Sequence, residues 1–163
     1  MIERGPDGVT RVIPSLPWIY DDGGRTAAGY KGEAGDCVCR AISIATQLPY
    51  REVYAALNFQ ALNERPRGRR QRSSSRNGVF RRTFQSYLSK LGWIWTPTMR
   101  IGSGGKVHLR AGELPGGRLI VRVSKHMTAV IEGVIHDTEG QSRSGTRCVY
   151  GYYQKGGGEC RST

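Results

Sequence analysis

Every helical period in this chain lies before Gly92, and every strand-like run lies after it. Ala41, Ile42, Ile44, Ala45 and Leu48 follow Cys37 at the spacing of one apolar helical stripe, which Pro49 ends or restarts. From Tyr50 the positions Val53, Tyr54, Leu57, Ala61 and Leu62 repeat the period and predict a second helix that closes near Glu64. Phe80, Phe84, Tyr87, Leu88 and Leu91 predict a third, with Asn77 as its N-cap and Gly92 as its stop. From Trp93 onward the runs 93–96, 107–109, 119–124, 126–131, 134–138 and 148–153 are short and rich in β-branched and aromatic residues, and predict strands. Helices first and strands last is the order of an α+β domain in two packed layers, not of alternating βαβ units.

A length of 163 residues suits a single core, so residues 1–163 are read as one domain. Residues 1–36 are rich in Gly, Pro and Asp and predict an extended arm, with a turn at Asp21-Asp-Gly-Gly-Arg25. Residues 65–76 contain no apolar side chain and predict a mobile, arginine-rich surface loop.

The chain carries 25 basic and 13 acidic residues, a net charge of +12. Eight arginines, at 65, 67, 69, 70, 72, 76, 81 and 82, concentrate much of the excess in one patch. Three readings of that patch stand: non-specific, salt-sensitive nucleic-acid binding through residues such as Arg67, Arg69, Arg70 and Arg72, contact with an acidic protein, or a solvated loop. No Phe, Tyr or Trp lies between Arg65 and Arg76 to stack on bases, which argues against sequence-specific single-strand recognition.

Met1-Ile-Glu-Arg-Gly-Pro-Asp-Gly has no basic start followed by an apolar run, and no stretch approaches the roughly 20 apolar residues of a bilayer span. The expectation is a soluble, intracellular protein with no membrane partner. Cys37, Cys39, Cys148 and Cys160 form no CxxC pair, and with the three histidines they do not cluster for zinc. Reduced thiols, no metal and no cofactor are expected. Gly102-Ser-Gly-Gly-Lys106 lacks the GxxxxGK[ST] spacing of a phosphate loop.

Two distant segments supply chemistry. Cys37, after Gly35-Asp36 and at the head of a helix, would set its sulfur among unpaired N–H groups at the positive end of the helix dipole. Such a setting lowers a thiol from about 8.5 toward neutrality, more so beside an imidazolium. The Cys37 N–H would then serve as an oxyanion donor, and Asp36 as the N-cap that fixes the turn. Cys39 lies about 200° round the helix and points elsewhere.

The second segment, His126 to Thr138, reads as two strands joined by a Glu132-Gly133 turn. Setting Ile131 opposite Val134 makes His126 and Asp137 diagonal neighbours on one face, about 7–8 Å apart at the backbone and within side-chain reach. Val130 and Ile135 share that face, while His136 alternates to the other. A helix-capping Cys, a strand-borne His and an Asp reachable across a hairpin are a nucleophile, a base and its orienter.

Gly35-Asp-Cys-Val-Cys-Arg-Ala-Ile with its helix, and Lys125-His-Met-Thr-Ala-Val-Ile-Glu-Gly-Val-Ile-His-Asp-Thr138 followed by Tyr150-Gly-Tyr-Tyr153, resemble small papain-fold cysteine peptidase-like proteins of bacteria and their phages. The resemblance covers most of residues 20–153. It implies N-terminal helices packed against a C-terminal antiparallel sheet, a cytoplasmic protein, and a peptide or protein substrate. It also implies Cys37 as nucleophile, His126 as base and Asp137 as orienter. Papain-like proteases place an oxyanion-hole Gln a few residues before the cysteine, and Lys31 to Asp36 contains none; Gln60, Gln71 and Gln85 could reach the site only through tertiary folding. The function expected is a thiol hydrolase cleaving a peptide or isopeptide bond. The alternatives are a non-catalytic module binding nucleic acid or acidic protein through residues 65–82, and an acyltransferase of the transglutaminase type.

Overall fold

The computed structural model describes residues 2–12, 14–65, 71–100, 102 and 104–157. Its elements are β1 (Ile2–Arg4), β2 (Thr10–Val12), β3 (Trp18–Tyr20), α1 (Cys37–Thr46), α2 (Tyr50–Ala61), α3 (Arg81–Lys90), β4 (Trp93–Pro97), β5 (Arg118–Val123), β6 (His126–Ile131), β7 (Val134–Asp137) and β8 (Val149–Lys155). β1 and β2 pair as a separate hairpin, and the other six strands form one sheet in the order β3-β7-β6-β5-β8-β4. The class is α+β, with three helices ahead of most of the sheet.

The sheet is mixed, not antiparallel as expected. β3 runs parallel to β7, with Trp18 opposite Ile135 and Tyr20 opposite Asp137. Backbone bonds from Ile135 N–H to the Pro17 carbonyl (2.8 Å) and from Asp21 N–H to the Asp137 carbonyl (2.9 Å) tie the two ends of this pairing. The first 36 residues are therefore not a plain arm: part of the segment completes the sheet. The predicted turn follows, built by Asp21 and Asp22 side chains accepting the N–H groups of Gly23 and Gly24, each at 2.9 Å.

α1 starts at Cys37 as its spacing predicts and ends on Gln47 in the left-handed region. α2 stops at Ala61, short of Glu64, because residues 62–64 tighten into i→i+3 bonds onto Phe59, Gln60 and Ala61. α3 begins with Phe80 as its cap, later than expected. Asn77 is instead part of a turn closed by two 2.9 Å backbone bonds between Ser74 and Gly78.

The expected mobile loop is also corrected over residues 71–76. Ser73 and Ser75 are buried. The Glu64 carboxylate accepts the Ser73 N–H at 2.8 Å and the Thr83 hydroxyl, while Ser75 bonds to Asn58 and to the Tyr54 carbonyl. Arg76 donates to the carbonyls of Lys31 and Glu33 at 3.2 and 3.1 Å. A segment without apolar side chains is fixed here by satisfied polar groups, which the absence of hydrophobes does not reveal. Arg72 is exposed; Arg67, Arg69 and Arg70 lie outside the described residues.

Two apolar clusters sit on opposite faces of the sheet. Ile42, Val53, Leu57, Phe84 and Leu88 of the helices pack on Ile120, Ala129 and Tyr153. On the other face Leu119, Val121, Val130, Ile135 and Val149 are covered by Leu16 and Leu109 from irregular segments. Leu119, Ile120 and Val121 are thus all buried in succession, and the expected two layers become helices, sheet and a loop layer. Residues 107–109 belong to that loop layer and make one isolated bridge, His108 to Cys148, instead of a strand.

Candidate active site

Cys37 opens α1 and is half-buried, with Asp36 at the N-cap position. The Asp36 side chain makes no capping bond. Its fully buried carboxylate instead accepts Arg40 Nη1 at 2.7 Å, Arg25 Nε at 3.1 Å and the Tyr50 hydroxyl at 2.6 Å. Two guanidinium groups and a phenol outcompete the local N–H groups for this carboxylate, so Asp36 fixes the turn by tertiary contacts and leaves the first N–H groups of the helix uncapped by its side chain.

β6 and β7 are joined by Glu132 and Gly133, whose φ values of 47° and 78° match the hairpin turn favoured by strand twist. The register sets Ile131 opposite Val134 and Val130 opposite Ile135. His126 Nε2 donates to Asp137 Oδ2 at 2.7 Å, and Asp137 is almost wholly buried. The Thr138 N–H, at 2.7 Å, holds the other carboxylate oxygen. Arg40 Nη2 stands 3.6 Å from that oxygen, so this one arginine reaches both Asp36 and Asp137. His136 turns away and faces Asp21 Oδ2 at 3.1 Å.

The three groups perturb one another in a consistent direction. Burial raises the Cys37 thiol, but a hydrogen bond to His126, the imidazolium charge, the Met127 N–H and the Arg40 charge together carry it below its ordinary value. Burial disfavours the His126 cation, yet the hydrogen bonds to Asp137 and Cys37 outweigh it and push the imidazole up to about 9. Burial likewise raises Asp137, and the His126 bond and charge more than reverse this. Because Asp137 occupies Nε2, Nδ1 is the ring nitrogen left for the sulfur. Cys39 behaves oppositely: burial and the nearby Asp36 charge push it up to about 12, and it has no solvent exposure.

Two clefts meet at His126. One, of about 600 Å³, is lined by Cys37, Val38, Asn77, Phe80, Phe84 and Met127 among others. The second, of about 550 Å³, has Ser124, Glu139, Gln141, Arg143 and Arg147 in its wall. Ala34, Arg40, Lys125 and His126 line both. The 74–78 turn packs against Gly35, where even a Cβ would meet the Asn77 carbonyl oxygen at an ordinary contact distance of 3.4 Å. Gln60, Gln71 and Gln85 line neither cleft; Asn77 is the carboxamide in the wall near Cys37.

Sequence reasoning missed Arg40 and Asn77 as parts of the site. The Asp36–Arg40 pair has the i, i+4 spacing of a helical ion pair and was available as a signal. Asn77 carried none, because only the fold brings its turn against Gly35. Among the described residues no group of three or more His, Cys, Asp or Glu is placed to hold a metal ion, and no helix is long and apolar enough to cross a membrane. No protein-family model, curated protein or solved structure matches the chain.

Proposed function

We propose that this chain is a thiol hydrolase that cleaves a peptide or isopeptide bond through an acyl-thioester on Cys37. The observation that carries the reading is a half-buried thiol at a helix N-terminus, lowered by an adjoining imidazole that is itself held by a buried carboxylate at 2.7 Å. The Cys37 thiolate attacks the carbonyl carbon, and the N–H groups at the start of α1 receive the oxyanion. The carbon–nitrogen bond breaks as the His126 imidazolium protonates the departing amine. His126 then takes a proton from water, the hydroxide attacks the thioester, and the acyl group leaves as a carboxylic acid with the thiolate restored. Asp137 fixes the ring orientation throughout.

At about pH 6.5 an ordinary thiol of pKa about 8.5 is only about 1% ionised. Iodoacetamide at that pH should alkylate Cys37 at least tenfold faster than a free thiol, with Cys39 unlabelled. His126→Ala should abolish the advantage. With p-nitrophenyl acetate, one equivalent of p-nitrophenol should appear in a burst followed by slow turnover, and neither should occur in Cys37→Ala. Equal alkylation in native and His126→Ala protein, with no burst, would sink the reading. Adding a primary amine to the same assay separates release to water from transfer.

A further inference from the structure

The second cleft contains His126 but not Cys37. In the proposed reaction His126 hands its proton to the departing amine, so space bordered by the imidazole and not the sulfur belongs to the leaving half of the substrate. The cleft with Cys37, Phe80 and Phe84 takes the acyl half.

The charge of the leaving-side cleft is unbalanced. Arg40 is neutralised by Asp36 and Asp137. The Lys125 and Arg143 side chains are exposed and have no partner among the described residues. Arg147 meets only neutral acceptors, the Gln141 side-chain oxygen and the Ser124 carbonyl at 2.8 Å, and its Nε is buried without a partner. Against these three cations the wall offers one carboxylate, Glu139. Burial, and then the charge of Arg143, hold the Arg147 guanidinium below its ordinary value, against the opposing pull of the Asp137 charge.

Backbone geometry places both exposed cations on turns at the rim of the cleft. Lys125 and Arg143 are at φ 55° and 49°, in the left-handed region that glycine enters freely and side chains enter at a cost. Both unpartnered cations of this cleft are thus carried on tight turns, Lys125 on the one between β5 and β6, which fix where their side chains leave the backbone.

From this arrangement, and resting on the thiol-hydrolase reading, we infer that the cleft formed by Lys125, Arg143 and Arg147 binds a carboxylate on the leaving half of the substrate. That carboxylate is an acidic side chain just after the scissile bond or a terminal carboxylate. A volume of about 550 Å³ is that of a small-ligand pocket, suited to one or two residues and not to a polymer.

The test is calorimetric titration of Cys37→Ala protein with four peptides: acetyl-Phe-Gly-Glu and acetyl-Phe-Gly-Gln, each with a free or an amidated C-terminus. The Glu amide carries only the side-chain carboxylate and the Gln acid only the terminal one, so the pair identifies the source. At least one should bind about tenfold more tightly than the Gln amide, and Lys125→Gln with Arg143→Gln in the same protein should erase the difference. Equal affinities, a preference for the neutral peptide, binding of none, or a preference that survives the double substitution overturns the inference. Failure of the Cys37 alkylation and burst would sink the hydrolase reading and leave this binding result legible, since the titration needs no reactive thiol.

Discussion

Cys37 and His126 have opposite effects on how stability responds to pH. His126, raised from 6.5 to about 9, contributes stability that is complete below about 6.5 and is lost as pH rises through about 9. Cys37, lowered from 9.0, contributes stability present above 9.0 and lost as pH falls through its folded value. Where both are charged the folded pair and the unfolded pair bind the same number of protons, so the site adds little slope around neutrality. Removing the thiol unbalances this. Cys37→Ala keeps the His126–Asp137 bond, so its unfolding temperature should fall between about pH 6.5 and pH 8.5 relative to native protein, read by thermal melts at each pH. A Cys37→Ala curve parallel to the native one would show that the two groups are not coupled. At this scale Cys37, His126 and Asp137 could be read from sequence because each is placed by local structure: a helix start and one tight hairpin. Asp36 was misread because its partners Arg25 and Tyr50 come from other parts of the chain.

The element that most determines the site is α1, held at both ends by other segments. At its start Asp36 is gripped by Arg25, Arg40 and Tyr50; at its end Arg118 of β5 donates to the carbonyls of Ala45 and Ile44. A guanidinium on the last carbonyls satisfies acceptors that have no partner within the helix and opposes the negative end of its dipole. Arg118→Ala should cost about 1–3 kcal/mol, measured by urea unfolding, because charged hydrogen bonds are lost at a partly buried place. It should also slow Cys37 alkylation if the helix end steers its beginning. Helix periods and the β6–β7 hairpin were legible because their signals repeat within a few residues. The α3 start was not: contacts from Glu64 to Ser73 and Thr83 organise the preceding turn and move the cap from Asn77 to Phe80.

Across the whole molecule the sheet separates two apolar clusters that share no helix. Val53 lies in the helical cluster and Val149 in the one beneath the loops, both without exposure. Val53→Ala and Val149→Ala should each cost about 2 kcal/mol and add within about 0.5 kcal/mol in the double variant, checked by denaturant unfolding. Coupling well above that would mean the sheet transmits repacking from face to face. The parallel strand β3 was missed because its partner lies more than a hundred residues away and its aromatic and β-branched run, Trp18-Ile19-Tyr20, is only three residues long inside a Gly-, Pro- and Asp-rich segment. That pairing also orders events on the ribosome. Trp18–Tyr20 emerge early and have no sheet to join until Val134–Asp137 follow, and the imidazole and carboxylate that perturb the Cys37 thiol arrive in the same late stretch. A nascent chain therefore carries an unperturbed cysteine until residues 126–137 have emerged, and whatever reactivity the folded thiol has is withheld until that hairpin docks on α1.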